Sequence, residues 1–141
     1  MREIKFRGKF VYANTDGSFQ WVYGDLVHMD PKIGKHRIIT DNGLNDEVLA
    51  GSVGQFTGLH DANGKDIYEG DIIRSYDSHG EAILHIIEYD DSEAQFITRM
   101  PGTNKYDFGS GGVGQRWIDE FKKEVIGNVF DNPELLRPNQ T

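Results

Sequence analysis

The sequence predicts an all-β protein, mainly β with one or two short helices. Short segments rich in aromatic and β-branched residues recur along the chain, and turn signals of the Asn-Gly and Asp-Gly type separate them. The segment with the clearest secondary-structure pattern is Val53–Ser75, VGQFTGLHDANGKDIYEGDIIRS, which predicts a strand, a tight turn and a second strand. We expect the other strands to assemble around this central hairpin.

The turn of the central hairpin is predicted at Asp61–Gly64. Asn63 and Gly64 accept positive φ angles at low cost, and the Asp61 side chain can bond to the backbone two residues on. Gly70 interrupts the second strand between two acidic residues and predicts a bend or a bulge there. These features favour an antiparallel hairpin.

Two alternative interpretations concern the acidic residues of this hairpin. Its turn resembles a fragment of a calcium loop, but Gly64 is the fourth residue from Asp61, whereas an EF-hand requires glycine at the sixth position. Glu69 and Asp71 are two apart on a strand, so both side chains share a face and could form a catalytic acid pair. Charged residues beside a bend are more often solvated, and a plain turn is the favoured interpretation.

The segment TGLHDANGKDIYEGDII, residues 57–73, closely resembles the signature of the YopX family of phage and prophage proteins. Ile4–Arg7 is similar to the opening of that family, and Glu124–Leu136 is similar to its closing segment. The resemblance therefore brackets almost the whole chain. It implies an all-β protein with an SH3-like small barrel in the C-terminal part. The family has no established biochemical activity, so the resemblance transfers no functional residues.

We expect two parts, an N-terminal β-hairpin or meander part over residues 1–58 and an SH3-like barrel with a C-terminal helical turn over residues 59–141. In the second part, Glu81–Tyr89 is apolar on both faces, which indicates a central strand. The apolar residues between Trp117 and Val125 follow helical spacing and predict a short helix over the open end of the barrel. Asn132-Pro133 predicts the start of a final helical turn.

Two sets of alternating residues mark the first strands of the N-terminal part. One set is basic and comprises Lys5, Arg7 and Lys9. The other is aromatic and comprises Phe19, Trp21 and Tyr23. The basic set predicts a solvated strand face, with contact to phosphate or to an acidic partner as the alternative. The aromatic set predicts cross-strand packing, because a stacking platform for single-stranded nucleic acid would need basic neighbours.

Three further segments are ambiguous. The segment 28–36 is predicted to be a loop, and its side chains of His28, Asp30 and His36 could converge on a metal, although they lack a strict ligand spacing. A single helical turn is predicted over Val48–Ala50. The glycine-rich residues 109–114 resemble a phosphate loop but lack its Lys-Ser/Thr ending, so a mobile insertion is favoured.

The composition excludes several classes of site. The chain of 141 residues has no cysteine, which removes disulfides, thiolate zinc sites, iron–sulfur clusters and cysteine nucleophiles. Its net charge of −8 opposes duplex binding, and its acidic residues are scattered rather than in the runs expected of a DNA mimic. No apolar run approaches the roughly 20 residues that span a bilayer, and the N-terminus lacks a signal-peptide core. We expect a protein of the host cytoplasm that does not contact a membrane.

The function that this reading favours is macromolecular binding or assembly without catalysis. We nominate no catalytic, cofactor-binding or metal-binding residue, and we expect a protein partner or a homo-oligomer, with nucleic acid disfavoured. His85 is predicted to be a satisfied, partly buried histidine, and no nearby serine or cysteine motif offers it a nucleophile. The alternatives are nucleic-acid binding and a hydrolase site assembled from His60, Asp61, Glu69 and Asp71.

Overall fold

The computed structural model describes residues 1–30, 35–103 and 111–137. The chain divides into two compact units, residues 1–56 and residues 57–141, which we call unit 1 and unit 2. Both units consist mainly of antiparallel strands, so the predicted all-β class is confirmed. The predicted division into residues 1–58 and 59–141 stays a prediction, because compactness does not show that either part folds by itself.

Unit 1 is an antiparallel sheet with the strand order β4-β3-β2-β1-β5. Its strands are β1 (Phe6–Lys9), β2 (Trp21–Asp30), β3 (Lys35–Thr40), β4 (Asn45–Val48) and the first residues of β5 (Gly54–His60). A turn at Asn14–Ser18, in which Gly17 has a φ of 86°, lies in the connection from β1 to β2. Ile38, Val48 and Phe56 are the buried hydrophobic residues in the described part of this unit.

Glycine allows the strands of unit 1 to approach closely at one position. A Cβ atom on Gly24 would lie 2.0 Å from the carbonyl oxygen of Ile39 on the neighbouring strand. No side chain can be accommodated there, because the obstacle is backbone and cannot rotate away. Gly24 therefore holds β2 against β3 in the register that pairs it with Thr40.

Two predictions for unit 1 are wrong. The segment around His28 is not a loop, since β2 continues to Asp30 and β3 begins at Lys35, while residues 31–34 lie outside the described part of the chain. The helical turn predicted over Val48–Ala50 is displaced, because β4 occupies Asn45–Val48 and a 3-10 turn follows at Ala50–Ser52. All four residues of β4 pair with β3. This pairing outweighs the local tendency of Asn45 and Asp46 to cap a helix.

Unit 2 contains the end of β5 and a five-stranded antiparallel sheet with the order β10-β9-β8-β7-β11. The further elements are β6 (Asp66–Tyr68), β7 (Asp71–Tyr76), β8 (Ala82–Asp90), β9 (Gln95–Arg99), β10 (Gly111–Gly112), α1 (Gln115–Asp119), β11 (Glu124–Asn128) and a 3-10 turn (Pro133–Leu136). Among the described residues, the strands of this sheet do not close into a barrel, and β10 and β11 are its two edges.

The central hairpin is formed by β5 and β6, which are neighbours in one sheet. Gly64 has a φ of 80° in its turn, as predicted. The predicted bend at Gly70 is also confirmed, with a φ of 89°, and it directs the chain from β6 into β7 of the five-stranded sheet. The signature segment thus joins two sheets rather than forming one long hairpin.

The core of unit 2 lies between its sheet and α1. Ile67, Ile73, Ile87 and Ile118 are fully buried and pack together. Ile86, next to Ile87 on β8, is also buried, which confirms that β8 is apolar on both faces. The predicted short helix is present but ends at Asp119, because Phe121 and Lys122 adopt φ angles of 60° and 48° that no α-helix contains.

Candidate functional site

The carboxylate of Asp61 organises the turn of the central hairpin. Oδ1 accepts hydrogen bonds from the backbone N–H groups of Asn63 (2.8 Å) and Lys65 (2.9 Å). Oδ2 accepts a third from the N–H of Val125 on β11, at 2.9 Å. Asp61 is buried, and this use of both oxygens makes it a structural residue of the turn. Within the described ranges, no group of three or more His, Asp or Glu side chains is placed to hold a metal ion.

The other residues of the suggested hydrolase site have separate surroundings. The Nε2 atom of His60 lies 3.1 Å from Oδ1 of Asp66, and the His60 backbone exchanges two hydrogen bonds with the Gln115 amide. Asp71 is 1% exposed, and its Oδ2 accepts a hydrogen bond from the N–H of Tyr68 at 2.8 Å. The expectation that both acidic residues beside the Gly70 bend are solvated is therefore wrong for Asp71. Its carboxylate closes the bend.

A buried cluster beneath α1 contains a serine that the sequence reading missed. The Oγ atom of Ser75 on β7 lies 2.9 Å from Nε2 of His85 on β8, and both side chains are buried. The register pairs Ile73 with His85, so Ser75, two residues further on, projects from the same face. The sequence offers His85 no local serine motif, and Ser75 becomes its neighbour only through strand register. The expectation that His85 is satisfied is wrong for one ring nitrogen, because its buried Nδ1 atom has no hydrogen-bond partner in the described part of the chain.

The electrostatics of this cluster oppose base catalysis. The His85 ring meets the Trp117 ring edge to face at a centroid distance of 4.9 Å, and Nζ of Lys123 lies 4.4 Å from the Trp117 centroid. Burial, aided by the charge of Lys123, lowers the pKa of His85 to about 4. Burial also lowers the pKa of Lys123, although Glu120 opposes that shift. A histidine that takes the serine proton must become imidazolium, which these surroundings disfavour.

We expect the free energy of unfolding to decrease as the pH falls from about 6.5 to about 4 because of His85. In this window the unfolded chain binds a proton on His85 and the folded chain does not, so acid favours unfolding. With allowance for solvent screening, the loss is about 2 kcal/mol. Urea unfolding at a series of pH values measures it. The variant His85→Gln should lack this component, the exposed-turn variant His79→Gln should retain it, and identical profiles for all three proteins would contradict the assignment.

Two of the three residues in the basic set of unit 1, Arg7 and Lys9, are not solvated, contrary to expectation, whereas Lys5 is partly exposed. Arg7 is 6% exposed and Lys9 is 8% exposed. Their charged groups lie 4.4 and 4.5 Å from the centroid of the Trp21 ring. The Lys9 ammonium also donates to the carbonyl oxygen of Phe19, at 2.9 Å. Cation–π contact with Trp21 accounts for this burial, and it leaves these two cations little surface for contact with phosphate.

A groove of about 370 Å³ lies in unit 1 where β2 begins and β3 ends, and we call it the unit 1 groove. Its walls include Gln20, Trp21, Tyr23, Asp41, Leu44 and Asp46. Tyr23 and Leu44 are 47% and 57% exposed. The carboxylates of Asp41 and Asp46 make no hydrogen bond or ion pair with any residue in the described ranges. The predicted cross-strand packing of the aromatic set is confirmed for Trp21, which contacts Arg7 and Lys9 of β1. Tyr23 is also among the residues that line the groove.

The residues suggested for a metal in segment 28–36 are only partly described. His28 and His36 are cross-strand partners whose rings meet edge to face at 4.9 Å. The side chain of Asp30 lies outside the described part of the structure. In the glycine-rich segment, residues 104–110 are also outside it, and Gly111–Gly112 forms the edge strand β10 instead of a loop. Residues 138–141 are likewise not described.

No helix in the described ranges is both long enough and apolar enough to cross a bilayer. This observation concerns helices alone.

Comparisons with known proteins agree with the architecture. The chain is similar to the crystal structure of protein EF1440 from Enterococcus faecalis, with 22% identity and a TM-score of 0.57 over 97% of this chain and 100% of that one. At this identity the likeness concerns the fold alone. No curated protein matches the sequence. A family model described as YopX protein matches residues 5–137. That match covers nearly the whole sequence, and the chain therefore belongs to the YopX family.

Proposed function

We propose that this protein is a non-enzymatic binding module that recognises another polypeptide through the unit 1 groove. The observation that carries the proposal is the combination, in one groove, of exposed apolar surface with two carboxylates that have no partner among the described residues. Protein recognition sites combine aromatic anchors with polar groups that become paired only on binding. A second copy of the chain is one such polypeptide.

The aromatic wall of the groove is held in place before any ligand arrives. Trp21 is fixed by Arg7 and Lys9, which stack on its ring and are themselves buried. A rigid aromatic surface loses little conformational entropy on binding, and this favours affinity. Tyr23 lies two residues further along β2, on the same face of the strand, and its exposed ring extends this surface.

The opposite wall is supplied by the connection from β3 to β4. Gly43 in this connection has a φ of 77°, and its N–H bonds to the carbonyl oxygen of Thr40 at 2.8 Å. The turn places the Leu44 side chain and the Asp41 carboxylate beside the first residues of β2. Leu44 and Asp41 thus supply an apolar group and a charge to the groove. An extended segment of polypeptide, with side chains alternating between two sides, fits such a surface.

A displayed library of random peptides, selected against the full chain, tests the proposal. We expect selected peptides to bind wild-type protein in solution and to bind the Tyr23→Ala and Leu44→Ala variants at least about tenfold more weakly, because each removes a wall of the groove. Tyr89→Ala is the matched control, since Tyr89 is similarly exposed but lies in unit 2. Thermal unfolding verifies that each variant is folded. Failure to select any peptide, or undiminished binding by both groove variants, would contradict the proposal.

A further inference from the structure

We infer that His28 and His36 form a two-histidine site for a divalent transition-metal ion of the class of Zn²⁺, Ni²⁺ or Cu²⁺. The two residues are direct cross-strand partners near the end of β2 and the beginning of β3. Imidazole is the commonest protein ligand for metal ions, and it suits all three of these. The site lies at the opposite end of these strands from the unit 1 groove, so the inference is independent of the proposed function.

The distance between the two rings suits the binding of one shared ion. A metal–nitrogen bond of about 2.0–2.1 Å places the centre of an imidazole ring about 3.2 Å from the ion. Two rings bound at tetrahedral or square-planar angles then have centres about 4.5–5.2 Å apart. The centroids of the His28 and His36 rings are 4.9 Å apart. The register of β2 and β3 therefore already supplies the separation that a shared ion requires.

Only the orientation of the rings must change for both to bind one ion. The rings meet edge to face at an interplanar angle of 83°, so one ring points at the face of the other. The His28 side chain is exposed and makes no hydrogen bond or ion pair with any residue in the described ranges, so its rotation breaks no such contact. Among those residues, no third His, Asp or Glu side chain joins the pair, and water completes the coordination.

The His36 side chain contains a nitrogen atom that lacks a hydrogen bond. Its Nδ1 atom is buried and has no hydrogen-bond partner in the part of the chain that the structure describes. On β4, His36 pairs with Val48, whose apolar side chain has no hydrogen-bonding group to offer. A buried ring nitrogen without a partner is costly, and binding of its lone pair to a metal ion removes that cost. This nitrogen is an observation independent of the ring spacing, and it points to a ligand.

His85 provides an internal comparison for this feature. Its buried Nδ1 atom also lacks a partner among the described residues, but its ring packs against Trp117. The nearby positive charge of Lys123 opposes the binding of a cation there. A buried nitrogen without a partner therefore does not assign a metal site by itself. The assignment depends on the second imidazole at the distance that one ion requires.

Titration of the full chain, without a histidine tag, with Ni²⁺ by isothermal calorimetry tests the inference. We expect one ion to bind per chain. The variants His28→Gln and His36→Gln should each bind it at least about tenfold more weakly, because a single imidazole remains. The controls are His60→Gln and His79→Gln, which remove exposed histidines of unit 2 and should bind the ion as the wild type does. Thermal unfolding without metal verifies that each variant is folded.

Pulsed electron paramagnetic resonance of bound Cu²⁺ counts the imidazole ligands directly. The wild type should show two imidazole nitrogens on the copper ion, and each single variant should show one at most. Because His28 is exposed, its variant decides the question even if His36→Gln does not fold. The inference is overturned if the wild type does not bind Ni²⁺, if either variant binds it undiminished, or if copper in the wild type carries a single imidazole.

Discussion

Replacement of Asp61 by alanine should lower the free energy of unfolding by about 4 kcal/mol. The carboxylate is 6% exposed and accepts three backbone hydrogen bonds, two within the turn and one from Val125 of β11. Its removal leaves three donors unsatisfied, and an unsatisfied buried donor costs about 1–3 kcal/mol. Urea unfolding followed by Trp117 fluorescence in a Trp21→Phe background measures the change in unit 2.

The chain contains a matched control for this prediction. Asp77 begins the turn between β7 and β8 and accepts hydrogen bonds from the N–H groups of His79 (2.8 Å) and Glu81 (2.9 Å), as Asp61 does in its own turn. No third hydrogen bond to a distant strand is described for Asp77, and the side chain is exposed. We expect Asp77→Ala to cost about 1 kcal/mol. Equal losses in the two variants would show that the contact of Asp61 with β11 contributes nothing.

The second large effect is expected for Gly24→Ala, which should destabilise unit 1 by about 3 kcal/mol. The added methyl group would lie 2.0 Å from the Ile39 carbonyl oxygen, so β2 and β3 must separate locally. Urea unfolding followed by Trp21 fluorescence in a Trp117→Phe background reports on unit 1.

Gly51→Ala provides the comparison for this variant. A methyl group on Gly51 meets nothing within 4 Å. We therefore expect its stability to equal that of the wild type or to exceed it by about 0.5 kcal/mol, since alanine restricts the unfolded chain. A Gly24→Ala protein as stable as Gly51→Ala would contradict the close approach of the two strands.

Local chemistry explains which parts of the fold were predictable. The turn at Asp61–Gly64 and the bend at Gly70 depend on residues a few positions apart, and both were predicted correctly. The predicted helix is present but ends at Asp119, before Val125. The spacing of apolar residues does not reveal the turn with positive φ angles at Phe121 and Lys122 that ends it. β4 was missed since its four residues are polar apart from Val48, and its strand conformation is imposed by pairing with β3.

The candidate sites depend on strand register, which local sequence does not encode. Asp41 and Trp21 reach one groove because β2 and β3 pair from Gly24 and Thr40 onward, a fact that neither segment reveals alone. The same holds for the contact of Ser75 with His85. The burial of Arg7 and Lys9 was missed because the alternation of apolar and charged residues along a strand predicts that the charged ones face solvent. In the structure, the Trp21 ring on the neighbouring strand stabilises both cations.

Mapping of a bound peptide on the ¹⁵N-labelled full chain by NMR locates the surface that binds it. On titration with a library-selected peptide, we expect the largest amide shifts at Gln20–Tyr23 and Asp41–Leu44, with a shift of the Trp21 indole N–H. The indole N–H of Trp117 in unit 2 should stay in place and serve as the internal reference. Shifts concentrated in residues 57–137, with the signals of the unit 1 groove unchanged, would contradict this expectation.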